Sequence, residues 1–178
     1  YKFIDINRVG IYGHSGGGFM SAAAIMTYPD FYKAAVASAG NHDNRVYNKG
    51  WVEIHFGVNE QQKEVKDSQG NTHTEYSYSV STRPNQELVR NYKGGLLLVH
   101  GLMDETVNPS HTLRLADALI KQNKDFDMVM LPTCTHGYSG KSDAFYEQKI
   151  WRHFAKKLLG DYSSDNSADL KFYMNKTK

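Results

Sequence analysis

Three residues stand out for the chemistry their types and settings allow. Ser15 lies in Gly13-His14-Ser15-Gly16-Gly17, with Gly18 directly after it. Asp104 lies in Val99-His100-Gly101-Leu102-Met103-Asp104-Glu105-Thr106-Val107, and His136 in Leu131-Pro132-Thr133-Cys134-Thr135-His136-Gly137-Tyr138-Ser139. A serine hydroxyl is a poor nucleophile until a base removes its proton, and an imidazole base works best when an acid holds its tautomer. Together the three types imply acyl transfer through a covalent intermediate.

Such a serine must stand proud of the fold, and the residues around it are suited to that. Val9 and Ile11 mark a short buried strand; Phe19, Met20, Ala22, Ala23, Ile25 and Met26 mark a helix that ends near Tyr28-Pro29. Between them the glycines allow strand and helix to approach closely in a sharp turn, with the hydroxyl at its apex. Two other readings of the turn are a phosphate cradle and a purely structural bend. The first lacks the lysine and the G-x-G-x-x-G spacing that cradles use.

The remaining elements follow an alternating rhythm. Ala34–Ser38 is a short strand closed by Gly40-Asn41, Leu96–His100 is an apolar central strand ending at Gly101, and Phe126–Leu131 is a fourth strand. Asn108-Pro109 opens a helix whose apolar face is expected at Leu113, Ala116, Leu119 and Ile120. A last helix is expected from about Asp143 to Leu159, with Ile150, Trp151, Phe154 and Leu158 inward and Gly160 as its stop. Strands alternating with helices predict an α/β fold with a parallel sheet flanked by helices. Ser15, Asp104 and His136 then all follow strand ends, where clefts form in open α/β sheets, in the chain order Ser, Asp, His of α/β-hydrolases. The residues alone do not separate Asp104 from its neighbour Glu105. The other histidines, His14 and His100 among them, are less well placed for a base.

Residues 41–93 interrupt the rhythm as an excursion with a polar hairpin turning near Gly70-Asn71 and a short helix from Pro84. Residues 1–160 are expected to form one domain, and 161–178 a polar tail in which Leu170, Phe172 and Met174 alternate. The 178 residues are 40% hydrophobic, enough for one domain that buries most of its unfolded surface. With 21 basic and 19 acidic residues spread along the chain, the net charge of +2 offers no block for nucleic acid or an anionic membrane. No apolar run reaches the length of a membrane span, so the chain reads as soluble. Its single cysteine, Cys134, excludes an internal disulfide and leaves the compartment open. Neither H-E-x-x-H nor a Cys/His cluster is present, so no metal or other cofactor is expected.

The segments "GHSGGGFMSAAAIMTYPDFYKAAVASAG", "LLLVHGLMDETV" and "THGYS" resemble the catalytic domain of the prolyl oligopeptidase family, in particular its dipeptidyl peptidase IV-like branch, across most of residues 8–159. The resemblance implies the C-terminal part of an α/β-hydrolase domain whose N-terminal strands are absent. Ser15, Asp104 and His136 would be nucleophile, acid and base of a serine peptidase acting on short peptides, dipeptidyl or oligopeptidyl. The Gly16 N–H would be one oxyanion donor. A second, a tyrosine hydroxyl in the family, would come from upstream, which makes the chain alone weak or inactive. An upstream β-propeller partner is implied as well, and the uncovered edge of the first strand invites self-association. Trp51 and His55 stand where the branch carries aromatic walls of the pocket for the residue before the scissile bond. Thr106 replaces the branch's asparagine two residues past the acid, and the hairpin is a further departure. The competing functions are an esterase or other acyl hydrolase using the same residues, and a non-catalytic module.

Overall fold

The computed structural model describes residues 1–162. In chain order the elements are β1 (Val9–His14), α1 (Gly16–Thr27), β2 (Tyr32–Ser38), α2 (Lys49–Phe56), β3 (Asn59–Lys66), β4 (Thr72–Ser79), β5 (Gly95–Gly101), α3 (Ser110–Lys121), β6 (Asp127–Leu131) and α4 (Gly140–Phe154), which runs on into a π-type turn over Ala155–Leu159. They form two units, one from residues 1–42 and those from 85 onward, the other from residues 43–84. The alternating Leu170, Phe172 and Met174 lie outside the described residues.

In the first unit four strands form a parallel sheet in the order β1-β2-β5-β6. Their registers align His14 with Ser38, Ser38 with Val99, and Gly101 with Leu131, so all four strands end on one side of the sheet. The outer edges of β1 and β6 have no strand partner among the described residues. Every residue of β5 is buried, as a strand covered on both faces requires. Alternate side chains divide the core. Ala35, Ala37, Leu96 and Leu98 pack with Ile25 and Met26 of α1 and Leu115 and Leu119 of α3; Val36, Leu97 and Val99 pack with Tyr146 and Ile150 of α4. No helix among the described residues is long and apolar enough to cross a membrane.

Two helix faces differ from expectation, and for one reason. On α3 the buried stripe is Thr112, Leu115, Ala116 and Leu119, while Leu113 and Ile120 are exposed. On α4, which starts at Gly140, Tyr146, Ile150 and His153 are buried and Trp151 is exposed. In each case a polar residue with an internal partner occupies a core position: Thr112 meets the His100 ring, and His153 Nε2 lies 3.3 Å from the Gly95 carbonyl oxygen. Apolar periodicity cannot register such residues.

The second unit holds the antiparallel hairpin β3-β4, paired from Asn59↔Ser79 to Lys66↔Thr72. Its turn is tied by the Asp67 carboxylate, which accepts from the N–H groups of Gln69 and Asn71, each at 2.8 Å, and Gly70 takes a φ of 87° that favours glycine. Helix α2 begins where the Asn48 side chain accepts from the Trp51 N–H at 2.9 Å and ends at Gly57.

Candidate active site

Ser15 joins β1 to α1 with φ 59° and ψ −123°, outside the regions an L-residue prefers. Backbone strain of this kind amounts to about 1–3 kcal/mol and persists only where neighbours enforce it. Here the Ser15 N–H donates to the Ser38 carbonyl at 2.8 Å, and the Ser15 carbonyl accepts from the Phe19 N–H at 3.0 Å. The glycines contribute unequally. A Cβ on Gly13 would lie 2.5 Å from the Gly17 carbonyl, and one on Gly18 2.2 Å from the Ser38 carbonyl oxygen, whereas one on Gly17 would meet nothing within 4 Å. Gly18 is thus the residue that lets α1 lie against the end of β2. Gly18→Ala is expected to cost stability at or above the upper end of about 1–3 kcal/mol, because the obstructing atom is backbone. Gly17→Ala should be neutral or stabilising by up to about 1 kcal/mol, since alanine is the better helix former. Urea denaturation of the two variants checks the contrast.

At the same edge of the sheet, two loops from its other strands converge on Ser15. The loop after β5 carries Asp104 and the loop after β6 carries His136. They are laced together by Leu102 N–H to the Leu131 carbonyl at 2.9 Å and Met103 N–H to the Cys134 carbonyl at 3.0 Å. Gly101 permits this, since a Cβ there would stand 2.4 Å from the Cys134 carbonyl oxygen. As a result His136 Nε2 lies 2.9 Å from Ser15 Oγ, and His136 Nδ1 lies 2.7 Å from Asp104 Oδ2. Glu105, next to Asp104, is exposed.

Asp104 is buried, and its other oxygen, Oδ1, accepts from the N–H groups of Thr106 and Val107, each at 2.9 Å. Burial opposes ionisation of this carboxyl. The His136 imidazole and the Val107 and Thr106 N–H groups outweigh it, so the pKa sits below the ordinary carboxylate range. Because His136 Nδ1 faces a carboxylate it carries the proton, which leaves Nε2 unprotonated toward the Ser15 hydroxyl. This is the tautomer a general base needs. Gly16 opens α1, so its N–H has no acceptor inside the helix.

Two histidines set aside in the sequence reading are close to this row. His14 Nδ1 lies 3.1 Å from Ser38 Oγ, which lies 2.8 Å from the Tyr138 hydroxyl, and the His14 ring centre is 4.9 Å from that of His136. Burial, then the neighbouring His136, lower the His14 pKa. His100 Nε2 is 3.2 Å from Asp104 Oδ2. A signal for His100 exists in the sequence, a histidine closing an otherwise apolar central strand. Trp51 and His55 belong to the second unit, where their rings stack at 4.0 Å and 18°. His55 Nδ1 donates to the Trp51 carbonyl at 2.8 Å, and Tyr47 lies edge-on to Trp51 at 5.5 Å.

The sequence profile described as the prolyl oligopeptidase family matches residues 1–162. The chain is 30% identical over 160 residues to dipeptidyl peptidase 8 of Mus musculus, covering 90% of this chain and 17% of that protein. It is 27% identical over 157 residues to prolyl endopeptidase FAP of Bos taurus, covering 88% and 19%. Among solved structures, dipeptidyl peptidase 4 of Porphyromonas gingivalis superposes with a TM-score of 0.71 at 22% identity, over 88% of this chain and 20% of that one. The chain therefore spans about a fifth of the length of each.

Proposed function

The chain belongs to the prolyl oligopeptidase family, and from that premise we propose that it carries the reacting groups of a serine peptidase cleaving short peptides, dipeptidyl or oligopeptidyl. The observation that carries this reading is the continuous row from Ser15 Oγ through His136 to Asp104, at 2.9 and 2.7 Å. His136 Nε2 takes the Ser15 proton as Oγ bonds to the substrate carbonyl carbon. The oxyanion that forms accepts from the Gly16 N–H. When the C–N bond breaks, His136 returns the proton to the leaving amine, leaving an acyl-serine. Water then repeats the sequence: His136 takes its proton, the hydroxyl attacks the acyl carbon, and Ser15 leaves as the hydroxyl. Asp104 holds the tautomer and stabilises the imidazolium.

The test is made on the full-length native protein. A fluorophosphonate probe is expected to label Ser15, and dipeptidyl amides are expected to be turned over with higher kcat/KM than short-chain esters. Labelling with the preference reversed would mean an esterase. No labelling of a folded protein would remove the catalytic reading altogether.

A further inference from the structure

We propose that His100 is a positioning residue for this reaction, a second imidazole that, with Thr112 behind it, holds the Asp104 carboxylate in register with His136. The inference rests on the reading of Ser15, His136 and Asp104 given above.

His100 is the sixth residue of β5, and its side chain has no solvent exposure. A buried imidazole is costly unless both nitrogens are satisfied. Nε2 lies 2.9 Å from the Val107 carbonyl oxygen, which can only accept, so Nε2 carries the proton. Nδ1 is then an acceptor, 2.7 Å from Thr112 Oγ1, whose hydroxyl donates to it. The tautomer is set from both sides. The same Nε2 lies 3.2 Å from Asp104 Oδ2, the oxygen that also accepts from His136 Nδ1. Both carboxylate oxygens are therefore held, Oδ1 by two backbone N–H groups and Oδ2 by two imidazoles. Rotation of the carboxylate would break bonds at both ends. Burial lowers the His100 pKa in spite of the Val107 carbonyl and the Asp104 carboxylate, so the ring acts as a dipole and not as a competing cation. Packing alone does not call for this arrangement: an apolar side chain at 100 and a valine at 112 would fill the same core.

The groups facing His136 are Asp104, His100, the Ser15 hydroxyl and the His14 ring. The His100 N–H directs its positive end at the same carboxylate oxygen that accepts from His136 Nδ1, so removing it leaves that oxygen a stronger acceptor for the Nδ1 proton. In His100→Leu, kcat for a dipeptidyl amide is expected to fall by about ten- to a hundredfold, the scale of a misplaced reacting group, with KM changed less than about threefold. The resonance of the His136 Nδ1 proton, followed by proton NMR, should move downfield. His100→Gln, whose amide N–H can reach the same oxygen, should recover most of both. Thr112→Val, nearly isosteric, should give a smaller change in the same direction and serves if His100→Leu does not fold. Equal behaviour of the Leu and Gln variants would overturn the proposal, as would a fall in kcat that tracks lost thermal stability while the His136 Nδ1 proton resonance stays put. The NMR measurement needs no turnover. A native protein that hydrolyses no amide would sink the peptidase reading, and an unmoved His136 Nδ1 proton resonance would sink the role of His100.

Discussion

Ser15→Ala is expected to lower amide turnover by about five to six orders of magnitude, the scale seen when a serine nucleophile is removed from a hydrogen-bonded row of this kind. The loss is in kcat, because His136 and Asp104 remain but have no hydroxyl to act on. Stability should change by less than about 1 kcal/mol: the Ser15 hydroxyl meets the His136 imidazole at the rim of the site, and alanine is no better suited than serine to a φ of 59°. Ser15→Gly separates the two effects. It should be as inactive as Ser15→Ala yet more stable by about 1 kcal/mol, because glycine adopts positive φ without strain. Single-turnover assays and urea titrations of the pair measure both quantities. Equal stability of Ala and Gly at this position would mean that the turn stores no strain.

The sheet is legible in the sequence because its physics is local. An apolar run as long as a strand, ended by glycine, has few alternatives to a central position, and Leu96–Val99 is buried as that run requires. Ser15, Asp104 and His136 can be named for the same reason, each lying in the turn or loop that follows a strand. What holds them in one row is not local. Gly18 and Gly101 look like any other glycine until the backbone they must admit, at Ser38 and Cys134, comes from another part of the chain. His100, Thr112 and His153 are polar residues in the core whose partners lie 7 to 58 positions away. Hydropathy assigns such residues to the surface, and so turned the expected faces of α3 and α4 toward Leu113, Ile120 and Trp151. Helix α2 is short, and its start depends on the Asn48 cap more than on a long apolar stripe.

Asp104→Asn tests the acid end of the row, and the surroundings of Asp104 dictate how it fails. The backbone N–H groups of Thr106 and Val107 require an acceptor at the Oδ1 position, so the asparagine carbonyl must take it and the amide NH2 must replace Oδ2. That group then points a donor at His136 Nδ1 and at the His100 N–H. His136 can accept only by moving its proton to Nε2, which turns a donor toward Ser15 and leaves the hydroxyl without a base. Turnover at neutral pH is expected to fall by about ten thousandfold. Glu105→Gln, at the exposed neighbouring position, should change it less than about twofold. Stability supplies an independent check through its pH dependence. The folded pKa of Asp104 is depressed, so the ionised carboxylate stabilises the fold above its unfolded pKa of about 3.9, and that contribution is lost as pH falls through the folded value. The variant lacks it at every pH. The stability gap between wild type and Asp104→Asn should therefore be largest at pH 7 and shrink in urea titrations carried toward pH 3. A gap independent of pH would mean that the asparagine disturbs packing and that the carboxylate's charge is not what the fold uses.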